Sequence, residues 1–245
     1  MIKEVSSHTA IIYFSLTPWQ EAQGKSFIAG ASFQKNLRIA RLLWNHSKSQ
    51  IEKSGIPYFL FDEHNQKGET FGGKFVSAFE AVFSQGFDHV IAVGNDTPRL
   101  QSQHILEAAE KLEQGASEVV LGPATDGGTW LMCFSQKAFN PELIENLAWT
   151  SGDLLNSIFE ELGSSQKISL LEQFDDVDNE QDLKKFLEIS ENEEFLLSLK
   201  KNIQSIIEHV LFVFYAFQIP YKDFDLSYHF LLRAPPSTSD SFLQK

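Results

Sequence analysis

The sequence predicts a mixed α/β fold: a mostly parallel sheet with helices on both faces. Short apolar runs of strand character alternate with helical patterns through the first half of the chain, which is the signature of that architecture. Glycines stand where several of the helical patterns stop, as helix ends favour. The 245 residues, 42% of them hydrophobic, suffice for one large domain with a continuous core.

Ala10-Ile11-Ile12-Tyr13-Phe14 reads as the first strand. Helical spacing then runs from Phe33 to Lys53 and stops at Gly55. A second strand covers Pro57 to Phe61. Phe75, Val76, Phe79, Val82 and Phe83 share one helical face ahead of Gly86. The clearest strand is His89-Val90-Ile91-Ala92-Val93, followed by Gly94-Asn95-Asp96-Thr97-Pro98 and a helix from Gln101 to Gln114. Glu118 to Leu121 is a short buried strand, Gly122 to Gly128 a loop, and Thr129 to Phe134 a further strand. Helical patterns return at 152–162 and 181–189, with an extended stretch at 168–171. This assigns 1–190 to the main domain.

Beyond 190 the character changes. Glu193 to Phe217 reads as one or two amphipathic helices, with Ile206, Ile207, Val210, Leu211, Phe214 and Phe217 on one face. Residues 191–232 are expected to form a helical extension packing on the domain of a monomer, with a homodimer interface as the alternative. The Pro/Ser-rich stretch 233–245 reads as a flexible tail.

The formal net charge is −13. A surface of that sign repels phosphate backbones and anionic lipid, so neither nucleic acid nor membrane is an expected partner. Residues 151–200 concentrate the excess, with thirteen Asp/Glu against four Lys/Arg. Cys133 is the one cysteine and lies in an apolar run, so it reads as a buried thiol. The N-terminus lacks the apolar stretch of a signal peptide. Val210 to Pro220, the most apolar segment, is about half the length a bilayer requires. A cytoplasmic protein is the expectation.

Three groups of residues suggest chemistry. Asp96 lies just beyond the most apolar strand, where ligands bind in open α/β sheets, and a carboxylate there suits a hard cation. Capping of the turn or of the next helix explains Asp96 equally well. In Asp126-Gly127-Gly128 the glycines permit close backbone approach to a ligand, and a tight hairpin is the competing explanation. Asp175-Asp176-Val177-Asp178-Asn179-Glu180-Gln181-Asp182 packs like charges that require solvation or a shared cation. Part of that cluster reads as helix N-capping by Asn179.

These same residues resemble a bacterial group of GT-A-like proteins known as radical-SAM- or selenodomain-associated glycosyltransferases. Val93 to Leu100 is similar to its Gly-Ser-Asp-x-Pro-x-Leu segment. Leu121 to Leu131 is similar to Leu-Gly-Pro-x-x-Asp-Gly-Gly-Tyr-Tyr-Leu, Trp149-Thr150-Ser151 to Trp-Ser-Thr, and Asp176 to Leu183 to Asp-x-Asp-Thr-x-x-Asp-Leu. The match runs from about Phe71 to Phe186. It implies a Rossmann-like GT-A sheet, shared with nucleotide-diphospho-sugar transferases and molybdenum-cofactor-type nucleotidyltransferases. It also implies a nucleotide site near Leu16, Pro18, Gly24 and Lys25, and Mg²⁺ or Mn²⁺ on Asp96 with Asp176 or Asp178. Asp96 and Asp126 would be catalytic, and Gly127, Gly128 and Trp149 would face the acceptor or sugar. Relatives carry Pro-x-x-Gly-x-x-Lys-Thr-Arg-Leu after the first strand, and the Lys-Thr-Arg-Leu run is absent from Ser15 to Phe27 here.

The function so implied is metal-dependent transfer from a nucleotide-activated donor to a small-molecule acceptor. Glycosyl transfer from a nucleotide-diphospho-sugar leads. Nucleotidyl transfer to a phosphorylated acceptor, or nucleotide binding without catalysis, are the alternatives.

Overall fold

The computed structural model describes residues 8–189 and 194–218, with side chains described as far as 208. Six strands form one sheet in the order β2-β1-β3-β5-β4-β6. They are β1 (Thr9–Phe14), β2 (Tyr58–Phe61), β3 (His89–Val93), β4 (Val119–Pro123), β5 (Thr129–Ser135) and β6 (Ile168–Leu170). β1 pairs in parallel with β2 and β3, and β4 with β6, while β5 is antiparallel to both β3 and β4. The expected sheet, mostly parallel with helices on both faces, is the one observed.

Side chains alternate across the sheet as strand geometry requires. Ala10 and Ile12 of β1 join one apolar cluster, while Ile11 and Tyr13 join another on the opposite face. The first cluster is closed by α3 (Phe71–Phe83), α5 (Pro141–Glu145) and α6 (Leu154–Leu162). The second is closed by α2 (Phe33–Ser54) and α4 (Ser102–Glu113). Cys133 is fully buried in it, and burial pushes its thiol pKa up, so it packs as an inert apolar side chain.

Two short helices depart from the sequence reading. Residues Pro18–Gly24, given no helix in the sequence reading, form α1, and Pro141–Glu145 form α5. Both follow the same start signal, a capping residue and then proline: Thr17 accepts from the Gln20 N–H, and Asn140 from the Leu143 N–H.

A third cluster joins α1 and α2 with α7 (Glu180–Glu188) and the start of α8 (Glu194–Gln218) through Ala22, Leu43, Phe186, Leu199 and Ile206. The first compact unit runs to Glu208. Ile206 is buried and Ile207 packs against the same cluster. The side chains of Val210, Leu211, Phe214 and Phe217, and all of 219–245 with the tail, lie outside the described residues. Among the described residues no helix is long and apolar enough to cross a membrane.

Candidate functional site

From β1 the chain crosses to β2 on one side and returns to β3 on the other, so the strand order reverses between β1 and β3. The crevice at the carboxyl ends of such strands is where open α/β sheets bind ligands. A cavity of about 490 Å³ opens there. Ser15 and Leu16 from the end of β1, and Gly94, Asn95 and Asp96 from the end of β3, line it. Asp126 and Gly128 enter from the β4–β5 connection, and Asp176 and Asp178 from the segment before α7.

The acidic groups converge on one cation. The Lys25 ammonium lies 2.9 Å from Asp96 Oδ2, 2.7 Å from Asp178 Oδ1 and 3.3 Å from Glu21 Oε2. Glu21 and Lys25 stand four residues apart at the end of α1, so the helix delivers both to the same place. Residue Thr17 anchors its start: the Thr17 N–H donates to Glu63 Oε2 at 2.7 Å, and its hydroxyl donates to Glu63 Oε1. On the other side, Val177 N–H donates to the Asp96 carbonyl at 2.8 Å, which locks Asp176 and Asp178 beside the β3 loop. The Thr97 hydroxyl donates to Asp176 Oδ1.

These contacts set the protonation states. Burial acts to lower the pKa of Lys25, but the charges of Asp96, Glu21 and Asp178 outweigh it, so the ammonium is held well above its ordinary range. Asp176 is pushed up to about 8, first by burial and then by the nearby Asp96, Asp126 and Asp178 charges, against the Thr97 hydrogen bond. It therefore carries a proton at neutral pH and can donate it. Burial likewise raises Glu21, with Lys25 opposing.

Asp126 is oriented by its own turn, since Oδ1 accepts from the Gly128 N–H at 2.8 Å. Gly127 has φ +91°, and a Cβ there would come within 1.9 Å of the Gly152 carbonyl oxygen. Gly127 therefore serves the close passage of two loops and is not in the cavity wall, whereas Gly128 is. Asp175 pairs with Lys185 and accepts from the Thr125 hydroxyl at 2.6 Å. Asn179 caps α7 through the Gln181 and Asp182 N–H groups, as expected.

Aromatic rings form another part of the wall. Phe71 touches Phe14 and Trp149 at ring-centroid separations of 5.5 and 5.1 Å, and Phe75 lies 4.7 Å from Trp149. The Trp149 indole N–H donates to the Ile144 carbonyl at 2.9 Å. Gly72 permits this approach: a Cβ there would meet Trp149 Nε1 at 2.6 Å and the Glu145 carbonyl oxygen at 2.2 Å. Lys74 and Gln66 complete this side.

Of the expected site residues, Leu16, Asp96, Asp126, Gly128, Trp149, Asp176 and Asp178 line the one cavity, with Lys25 bonded to two of them. Pro18 and Gly24 are the first and last residues of α1 and not members of a phosphate loop, and Gly24 lacks the positive φ that a turn toward phosphate would use. Sequence reasoning missed Phe14, Phe71, Phe75, Lys74 and Glu21. Glu21 had a visible signal in its spacing to Lys25. Phe75 was legible only as a core residue, because helical spacing does not say where an apolar face ends and a cavity begins.

Carboxylate oxygens are the donors that Mg²⁺ and Mn²⁺ prefer. Here, however, the position between Asp96 and Asp178 is held by an ammonium. Among the described residues no group of three or more His, Cys, Asp or Glu side chains is placed to hold a metal ion. The residues as arranged do not fit a resident divalent cation, in contrast to the expectation.

Residues 47–151 match the model of the family described as "Uncharacterized protein conserved in bacteria (DUF2064)". The match covers less than half of the chain. Asp96, Asp126, Gly127, Gly128 and Trp149 lie within the matched stretch, while Lys25, Asp176 and Asp178 lie outside it. The fold is similar to that of a candidate nucleotide-diphospho-sugar transferase from Desulfovibrio desulfuricans G20. The TM-score is 0.72 at 19% identity, over 83% of this chain and 98% of that one. At that identity the likeness shows the fold, which is of the expected nucleotide-diphospho-sugar transferase type. The bifunctional protein GlmU of Brucella anthropi is 29% identical over 75 residues. That match spans 31% of this chain and 16% of the relative's length.

Proposed function

We propose that the chain is a transferase using a nucleotide-activated donor, with glycosyl transfer from a nucleotide-diphospho-sugar to a small-molecule acceptor as its reaction. Nucleotidyl transfer to a phosphorylated acceptor is the alternative chemistry for the same site. One observation supports this reading above the rest: the cavity at the reversal point between β1 and β3 is lined by aromatic rings and by carboxylates, three of which pair with the Lys25 ammonium. A base can stack its plane, or a sugar lay the C–H groups of one face, on Phe71 and Trp149, while its polar groups meet Asp126 and Asp96.

In the glycosyl-transfer reading Lys25 meets the donor phosphate. Asp126, steadied by the Gly128 N–H, accepts the proton of the acceptor hydroxyl. That oxygen then bonds to the anomeric carbon as the carbon–phosphate oxygen bond breaks and the nucleoside diphosphate leaves. Asp176, protonated at neutral pH, supplies a hydrogen bond to a departing or hydroxyl oxygen. The aromatic wall excludes water from the reacting carbon. No step is assigned to a metal.

The charge balance favours a second reading. Glu21, Asp96, Asp126, Asp176 and Asp178 line the cavity against Lys74, with Lys25 already paired to three of them. A site with that balance weakens the grip on a polyphosphate, which is consistent with nucleotide binding without catalysis. The test is a panel of nucleotide-diphospho-sugars and nucleoside triphosphates, each with and without Mn²⁺, read by melting temperature and by product release. A ligand of the native state raises apparent stability by mass action. Stabilisation with turnover supports the transferase, and stabilisation without turnover supports the second reading. No response to any nucleotide refutes both.

A further inference from the structure

We propose that Lys25 occupies the cation position of this site and keeps divalent metal out of it in the ligand-free protein. The inference concerns the site of the proposed transferase but needs no nucleotide to be tested. Asp96 Oδ2 and Asp178 Oδ1 are the oxygens a bridging cation would use, and both lie within 3 Å of the ammonium, at 2.9 and 2.7 Å. A divalent ion bound to that pair sits about 2.0–2.2 Å from each oxygen, close to the point where Nζ already stands. Two cations cannot share it, because their repulsion in a partly desolvated site exceeds what the added ion gains.

The lysine is not a passing visitor. Its backbone N–H donates to the Glu21 carbonyl at 2.8 Å, so it is pinned to the end of α1. Ala22 and Phe27, on either side, are buried in the cluster with α2, α7 and α8. Glu21, itself 7% exposed, makes the third contact to the ammonium and would be left without a counter-charge if the lysine swung out. The cluster is thus partly neutralised from within by a side chain that the fold holds in place. Metal and lysine become alternatives for one position.

The experiment is Mn²⁺ binding by the full chain without nucleotide, followed by electron paramagnetic resonance of free Mn²⁺. The wild type is expected to bind no stoichiometric Mn²⁺ at this site, and Lys25→Met, which keeps length and removes charge, to bind one ion at least tenfold more tightly. That gain should vanish in Lys25→Met combined with Asp96→Asn. A wild type that binds one Mn²⁺ as tightly as Lys25→Met overturns the proposal, as does a folded Lys25→Met with no gain. If Lys25→Met does not fold, the wild type decides: one Mn²⁺ lost on Asp178→Asn overturns the proposal, and no such ion supports it. Failure of the transferase reading would appear instead as the absence of any nucleotide response, which this measurement does not use.

Discussion

Replacing Asp176 by Asn should change how the protein's stability depends on pH. The Asp176 carboxyl is pushed up to about 8, whereas an unfolded chain holds an aspartate near 3.9. Between those values the folded state keeps a proton that the unfolded state has lost. Folding therefore binds protons, and stability falls as pH rises through the window. One proton corresponds to about 1.4 kcal/mol per pH unit, so the ceiling from pH 5 to pH 8 is about 4 kcal/mol. For a domain of this size each kcal/mol moves the melting temperature by about 2–4 °C. Asp176→Asn removes the titration but leaves an amide oxygen to accept from the Thr97 hydroxyl. Melting temperatures of both proteins at pH 5 and pH 8 in metal-free buffer test this. The variant should gain on the wild type as pH rises, by roughly 8 °C or more if the full effect is expressed. A difference between the two proteins that stays the same at both pH values refutes the assignment of the buried proton to Asp176.

Gly72→Ala should destabilise by about 1–3 kcal/mol and shift the emission of Trp149, because the added methyl meets the Glu145 carbonyl oxygen and the indole nitrogen; an unchanged melting temperature and spectrum would contradict the close approach. Asp126→Asn should lower kcat by about 10²–10⁴-fold with little change in donor affinity, and a variant of undiminished kcat removes Asp126 from the chemistry. Lys185→Met should cost less than about 1 kcal/mol, because its pairing with Asp175 is a surface interaction. Urea unfolding measures this, and a much larger loss would mean that the pair holds the 175–178 segment in place.

Local sequence determined the sheet and its principal helices. Runs such as His89–Val93 and the spacing of Phe75, Phe79 and Val82 carry the period of their elements, and burial on two faces demands those apolar side chains. The same reading located Asp96 and Asp126 at strand ends and singled out the like-charge run that holds Asp176 and Asp178. The short helix at Pro18–Gly24 has too few residues to show a period, although Thr17-Pro18 is a sound start signal. What only the tertiary structure decided is where the charges meet. Lys25 lies 71 residues from Asp96 in sequence, and its ammonium reaches that carboxylate because α1 is buried against α2 and the segment before α7 is tied to the β3 loop. No periodicity encodes such a contact, since electrostatic partners are chosen by distance in space and not along the chain. The aromatic wall follows the same rule: each ring is legible as apolar, but the void beside it exists only once α3, Trp149 and the end of β1 are packed together.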